Sequence, residues 1–161
     1  MKIKWKELLI CLAIPLAVGG LSTLISGGGM GDYASLNQPP LAPPGWLFPV
    51  VWTILYLLMG YASYQVLTSG GDRDEIRRAL ILYGAQLVLN FLWPVVFFGL
   101  EWRLVAFFVL VALWILIYLT MRAFSQIDER AGDLLLPYIV WVTFAGYLNL
   151  ASYFLNRSSC K

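Results

Sequence analysis

The chain has 161 residues, 60% of them apolar, 16% aromatic and only 12% charged, with a formal net charge of +2 and no histidine. A soluble domain carries about a quarter charged residues, so this balance excludes an ordinary water-soluble domain. The small charge surplus gives no electrostatic footprint for nucleic acid, and the missing histidine removes the commonest general base and haem ligand.

Five windows contain no Asp, Glu, Lys or Arg: Leu8–Gly31, Tyr33–Gly71, Ala79–Leu100, Leu104–Met121 and Leu134–Asn156. Each is long enough to cross a hydrocarbon core, which takes roughly 17–25 residues of helix. They predict an all-α integral membrane protein, a bundle of five transmembrane helices forming a single membrane domain over 1–161.

The first helix is expected over Trp5–Ile25, with a kink at Pro15 and a run of small residues, Gly19, Gly20, Ser22 and Thr23, where another backbone can approach. A cleavable leader peptide is the competing reading of this Lys-rich start, disfavoured by the length of the apolar stretch and the lack of a clean A-x-A site. A loop of about 20 residues follows, Ser26–Gly45, unusually long for so small a protein and lid-like in composition. Its Gly27-Gly28-Gly29 run permits hinging, and Pro39-Pro40-Leu41-Ala42-Pro43-Pro44 stiffens it.

Helix two is expected over Trp46–Leu67, with Trp52, Tyr56 and Ser63 on one face. Ser69–Arg77 reads as a short charged turn. Helix three is expected over Arg78–Phe98 and helix four over Leu104–Phe124. Helix four has no polar stripe and is expected to face lipid or a partner subunit. After the charged loop Gln126–Asp133, helix five is expected over Leu134–Asn156, with Pro137 in its first turn, where proline is tolerated. Eight of the eleven basic residues fall at the N-terminus and in the second and fourth loops. The positive-inside rule then puts the N-terminus in the cytoplasm and the C-terminus outside. Cys11 and Cys160 lie at opposite ends of the membrane and are not expected to pair.

The chemistry-bearing residues sit on three helices. At about 100° per residue, Gln86, Asn90, Trp93 and Phe97 share an arc of about 60° on helix three. Amides gain nothing from lipid and are costly to leave unpaired there, so this face points into the protein. Helix five repeats the pattern with Trp141, Ala145 and Asn149. Together with Trp52 and Tyr56 these residues offer flat rings beside amide groups, which suits a large planar ligand with few polar atoms. The competing reading is that the amides pair across helices and the rings fill the core. Trp5 and Trp102 read instead as interfacial belt residues. Leu150-x-x-Tyr153-x-x-x-Arg157 fits a loose sterol-contact pattern, although Arg157 reads more simply as an interfacial anchor. No metal-ligand cluster, phosphate loop or nucleophile–base pair is visible, and no charge interrupts a span.

In these residues the chain resembles the tryptophan-rich sensory protein (TspO) family, whose mitochondrial relative is the translocator protein, or peripheral benzodiazepine receptor. The resemblance rests on Pro43-Pro44-x-Trp46, Val51-Trp52-Thr53-x-Leu55-Tyr56, Met59-Gly60, Gln86-x-x-x-Asn90-x-x-Trp93-Pro94-x-x-Phe97-Phe98-Gly99 and Pro137-Tyr138-x-x-Trp141-x-x-Phe144-Ala145-x-x-Leu148-Asn149. It implies a five-helix bundle, often a homodimer in a bacterial cell membrane, with a pocket closed by loop one. It also implies porphyrin, sterol or benzodiazepine-type ligands. Carried over by position, the pocket uses Tyr33, Trp52, Tyr56, Asn90, Trp141 and Ala145. The chain departs from many members at Asp32 and Leu41, where they have tryptophan, so loop one brings fewer rings.

Three functions follow as expectations. The first is a receptor, carrier or sensor binding a porphyrin or other hydrophobic small molecule among membrane lipid, with no resident cofactor required. An anionic porphyrin is expected to draw on Arg103 or Arg157. The second, implied for some bacterial members, is light-dependent oxidation of a bound protoporphyrin IX by way of Trp52 and Trp141. The third, transport, has weaker footing, because five spans do not divide into two equal repeats.

Overall fold

The computed structural model describes residues 3–25, 44 and 46–156. Among them five helices are long and apolar enough to cross a membrane, and no strand occurs. The protein is an all-helical integral membrane protein. Helices α1 (Trp5–Ile25) and α2 (Leu47–Leu67) flank loop one, which apart from Pro44 lies outside the described residues, Tyr33 included. Helix α3 (Arg73–Pro94) runs into a π-helical turn, Val95–Gly99. Helix α4 (Arg103–Ile127), the short α5 (Glu129–Leu134) and α6 (Leu136–Asn156) complete the chain.

The charged stretch after α2 is less of a loop than the sequence suggests. Gly70 takes a left-handed φ of 75°, and Asp72 caps α3 by accepting from the Glu75 N–H at 3.1 Å. The helix therefore starts at Arg73 rather than Arg78. Asp74 and Glu75 lie in its first turn, where the helix dipole favours acids. The acidic-basic loop before α6 likewise holds α5, capped by Asp128 accepting from the Arg130 N–H at 3.0 Å.

Beside an apolar core, polar residues are buried and large apolar ones face outward. Ser22, Ser63, Gln86, Asn90, Thr120, Asn149 and Ser152 are all buried, while Phe108, Val111, Ile115 and Leu119 of α4 are exposed. In a bilayer polar groups must find partners inside, and apolar side chains can face the acyl chains. Helix α4 has the outward apolar side expected of it, but it also carries a core face. Its Ala106, Leu110, Leu113, Ile117, Thr120 and Phe124 are buried, and it packs along both α3 and α6. The expectation missed this because apolar residues cover both the core face and the lipid face, leaving no contrast to read.

Helix α1 packs closely on α2 and more lightly on α3. The approach depends on small residues: a Cβ at Gly60 would meet the Cys11 carbonyl at 2.6 Å, and one at Gly19 would collide with the Tyr56 ring. Helices α2 and α6 meet through rings, Phe48 with Trp141 at 5.7 Å and Trp52 with Tyr138 at 6.2 Å.

Gly60→Ala should push α1 off α2 and lower stability by about 1–3 kcal/mol, the usual cost of overpacking. Gly84→Ala, where a Cβ meets nothing within 4 Å, should not. Unfolding of both variants in detergent checks this, and equal behaviour would contradict the close approach.

Candidate functional site

Proline and the helix geometry around it open a space in the bundle. Pro94 has no N–H to give the Asn90 carbonyl, and the chain relaxes into a π turn closed by Leu100 N–H donating to the Val95 carbonyl at 2.9 Å. The wide turn brings Phe97 and Phe98 edge to face at 4.8 Å, Phe97 into the core and Phe98 onto a cavity wall. The return to α4 passes through Glu101, whose φ of 59° lies in the left-handed region.

The cavity has a volume of about 300 Å³. Its walls come from the second half of α1 (Gly19, Gly20, Thr23), the first half of α2 (Phe48, Trp52, Tyr56), and the end of α3 with its π turn (Asn90, Trp93, Phe98). It therefore sits in the half of the membrane adjoining the ends of loop one. Trp52 stacks on Tyr56 with centroids 5.6 Å apart and 30° between planes, forming a flat aromatic wall.

The polar edge of that wall belongs to a buried chain of hydrogen bonds. The Tyr56 hydroxyl donates to Asn90 Oδ1 at 2.9 Å, and Asn90 Nδ2 donates to the Tyr138 hydroxyl at 2.6 Å. Tyr138 in turn donates to Gln86 Oε1 at 2.6 Å, and Gln86 Nε2 lies 4.0 Å from the Met59 sulfur. A second pair holds Trp93: its indole N–H donates to Asn149 Oδ1 at 2.8 Å, while Asn149 Nδ2 donates to the Arg103 carbonyl at 2.7 Å.

Behind the cavity is a crevice of only about 10 Å³ between Ala145, Leu148, Asn149 and Phe97. Phe48, Trp93 and Phe98 line both spaces and so form the partition between them. Trp141 lies beyond Phe48, and its indole N–H is buried with no acceptor among the described residues.

Comparison with known proteins agrees with this architecture. The model of the TspO/MBR family matches residues 10–155. The chain belongs to the TspO/MBR family. It is 42% identical over 150 residues to a tryptophan-rich protein TspO of Chlorobaculum tepidum, covering 92% of this chain and 95% of that one. It is 42% identical over 124 residues to a tryptophan-rich sensory protein of Cereibacter sphaeroides, covering 77% and 76%. To the translocator protein of Ovis aries it is 40% identical over 138 residues, covering 84% and 82%. These relationships support a membrane sensor or transporter role.

Within this TspO/MBR chain the residues singled out by sequence fall into three groups. Trp52, Tyr56, Asn90 and Trp93 line the cavity. Ala145 and Asn149 stand at the crevice and Trp141 beside Phe48, whereas Gln86 is buried behind the wall. Tyr33 lies outside the described residues, as does Arg157. Arg103, the other cation expected to meet an anionic ligand, is buried with its guanidinium 5.5 Å from the centre of the Phe97 ring. Sequence reasoning assigned no role to Tyr138, although it stands three residues before Trp141 on the same helix face. It also missed Phe48, whose place between Trp52 and Trp141 depends on how α2 and α6 meet.

Asn149→Ala removes two interhelical bonds at about 0.6 kcal/mol each, so a loss near 1 kcal/mol is expected. Trp93→Phe combined with Asn149→Ala should cost less than the sum of the single changes. Strict additivity in a double-mutant cycle would show that the bond contributes nothing.

Proposed function

We propose that the cavity binds a flat, largely apolar polycyclic ligand, a porphyrin foremost, and that the protein serves as a membrane receptor or carrier for it. The observation that carries this reading is the cavity itself, with one aromatic wall, Trp52 on Tyr56, and one polar edge at Asn90. Rings give a planar guest stacking area, and a few fixed polar groups orient it. A porphyrin needs more room than about 300 Å³. Displacing the Phe48 ring from the partition joins the cavity to the crevice and gives the Trp141 N–H an accessible acceptor on the ligand. With the N-terminus in the cytoplasm, as the positive-inside pattern favours, the cavity lies in the outer half of the membrane. A C-terminal alkaline-phosphatase fusion should then be active, and an inactive one would reverse the orientation.

Titration with protoporphyrin IX should quench tryptophan fluorescence to saturation. Trp52→Ala and Asn90→Leu should each weaken binding by about three- to ten-fold, the range expected for one ring contact or hydrogen bond. Phe48→Ala should tighten it. Wild-type affinity in both Trp52→Ala and Asn90→Leu would place the ligand elsewhere.

A second reading, light-dependent oxidation of the bound porphyrin with dioxygen as oxidant, is favoured by the contact of redox-active rings at the cavity wall. Trp52 stacks on Tyr56, which is hydrogen-bonded into the relay, and Trp52 also meets Tyr138 edge-on. This geometry favours Trp52 over Trp141 as the side chain that carries a radical. Illumination of the complex decides between the readings. A new chromophoric product lost in Trp52→Phe means catalysis, and quenching without product means binding alone.

A further inference from the structure

We propose that Gln86 is a positioning residue: without touching the cavity, it fixes the direction of the hydrogen-bond chain and so makes Tyr56 an acceptor, not a donor, toward the ligand. The part concerning ligands rests on the binding role proposed for the cavity, whereas the part concerning the chain direction does not.

A chain of tyrosine hydroxyls and carboxamides can run in two directions. Each hydroxyl has one proton, and each amide can exchange its oxygen and nitrogen by turning over. Distances alone suit either direction, so the ends decide. At the inner end Gln86, only 1% exposed, faces the fully buried Met59 sulfur at 4.0 Å. A thioether accepts weakly and never donates. The Gln86 NH₂ therefore turns toward sulfur, because the opposite orientation would set its oxygen against sulfur lone pairs. Gln86 Oε1 then faces Tyr138 and takes the Tyr138 proton at 2.6 Å. Tyr138 is left to accept from Asn90 Nδ2 at 2.6 Å, and Asn90 Oδ1 is left to accept from Tyr56 at 2.9 Å. Each step follows from the previous one, across three helices, until the only proton on Tyr56 is used.

At the cavity wall Tyr56 has lone pairs to offer and no proton. The site thus favours a guest that brings an N–H or O–H to this edge over an isostere with a bare acceptor. Gln86→Leu reverses the sequence of events. Tyr138 loses its inner acceptor and donates to Asn90 instead; the Asn90 amide turns over, its NH₂ donates to Tyr56, and the Tyr56 proton is released to the cavity. Gln86→Glu keeps a carbonyl acceptor facing Tyr138 and retains the native direction.

Two measurements test this. In the ligand-free protein, ultraviolet resonance Raman of the tyrosine ring doublet reports whether a hydroxyl donates or accepts, with Tyr56→Phe as the subtraction. Tyr56 should read as a donor to a strong acceptor in the wild type and in Gln86→Glu, and as an acceptor in Gln86→Leu. Binding of 1-hydroxypyrene and 1-methoxypyrene in nanodiscs then reads the consequence. The wild type should prefer the hydroxyl compound by about five-fold, the worth of one net hydrogen bond. Gln86→Leu should lose or invert the preference, Gln86→Glu should keep it, and Tyr56→Phe should abolish it.

An unchanged Tyr56 signature in Gln86→Leu overturns the proposal. If neither pyrene binds while the signature switches, the chain direction stands and the ligand role of the cavity falls. Should Gln86→Leu not fold, Met59→Leu removes the anchoring sulfur and keeps every link. It should give a mixed donor and acceptor signature, and a purely native one would be equally fatal.

Discussion

An amide buried in hydrocarbon must find a partner, and in this bundle that requirement links the interior. Asn90 and Gln86 lie on one face of α3, and hydrocarbon offers neither a partner. Their partners come from α2 and α6: Tyr56 and Tyr138. Asn149 meets the same need by bonding Trp93 on one side and the backbone at Arg103 on the other. Apolar contact between helices gives little preference for one arrangement over another in lipid, since acyl chains are as apolar as leucine. The polar contacts have fixed geometry, so they set which faces of α2, α3 and α6 look at one another.

The cavity exists because that constraint acts beside two local defects. Gly19 and Gly60 let α1 come close to α2, so the Tyr56 ring lies over a bare stretch of backbone. Pro94 and the π turn splay the end of α3, and the two phenylalanines there cannot both fill the gap. One goes to the core and one to the wall. The helices are held together at one level and parted at the next, and the cavity lies in the membrane half adjoining loop one.

Much of this was legible in the sequence, for reasons that also mark the limits. Uncharged windows report membrane spans directly, because a charge in hydrocarbon is so costly. The inward face of α3 was legible because two amides and two rings at helical spacing have only one sensible direction. The core face of α4 was not legible, since hydrophobicity cannot separate a face packed on protein from a face packed on lipid. Trp141 and Ala145 were grouped with Trp52 by composition. Yet Phe48 stands between them, and only the meeting of α2 with α6 could reveal that. The α3 start at Arg73 was hidden because capped charged turns and charged loops share the same residues, and the π turn has no sequence signature beyond Pro94.

Helix α6 gives no side chain to the cavity wall, yet both polar clusters pass through it. Tyr138 holds Asn90, and Asn149 holds Trp93; Asn90 and Trp93 are the two wall residues with hydrogen-bonding groups on α3. The two anchors are eleven residues apart, close to three helical turns, so they lie on the same face of α6. A guest that pulls on Asn90 or tilts Trp93 therefore acts on α6 at two points along one edge. Small displacements at the wall become a tilt or slide of a whole span rather than a local adjustment, because hydrogen bonds in hydrocarbon are not easily exchanged for others. The hydrogen bonds thus link the cavity wall on α3 to the helix behind it.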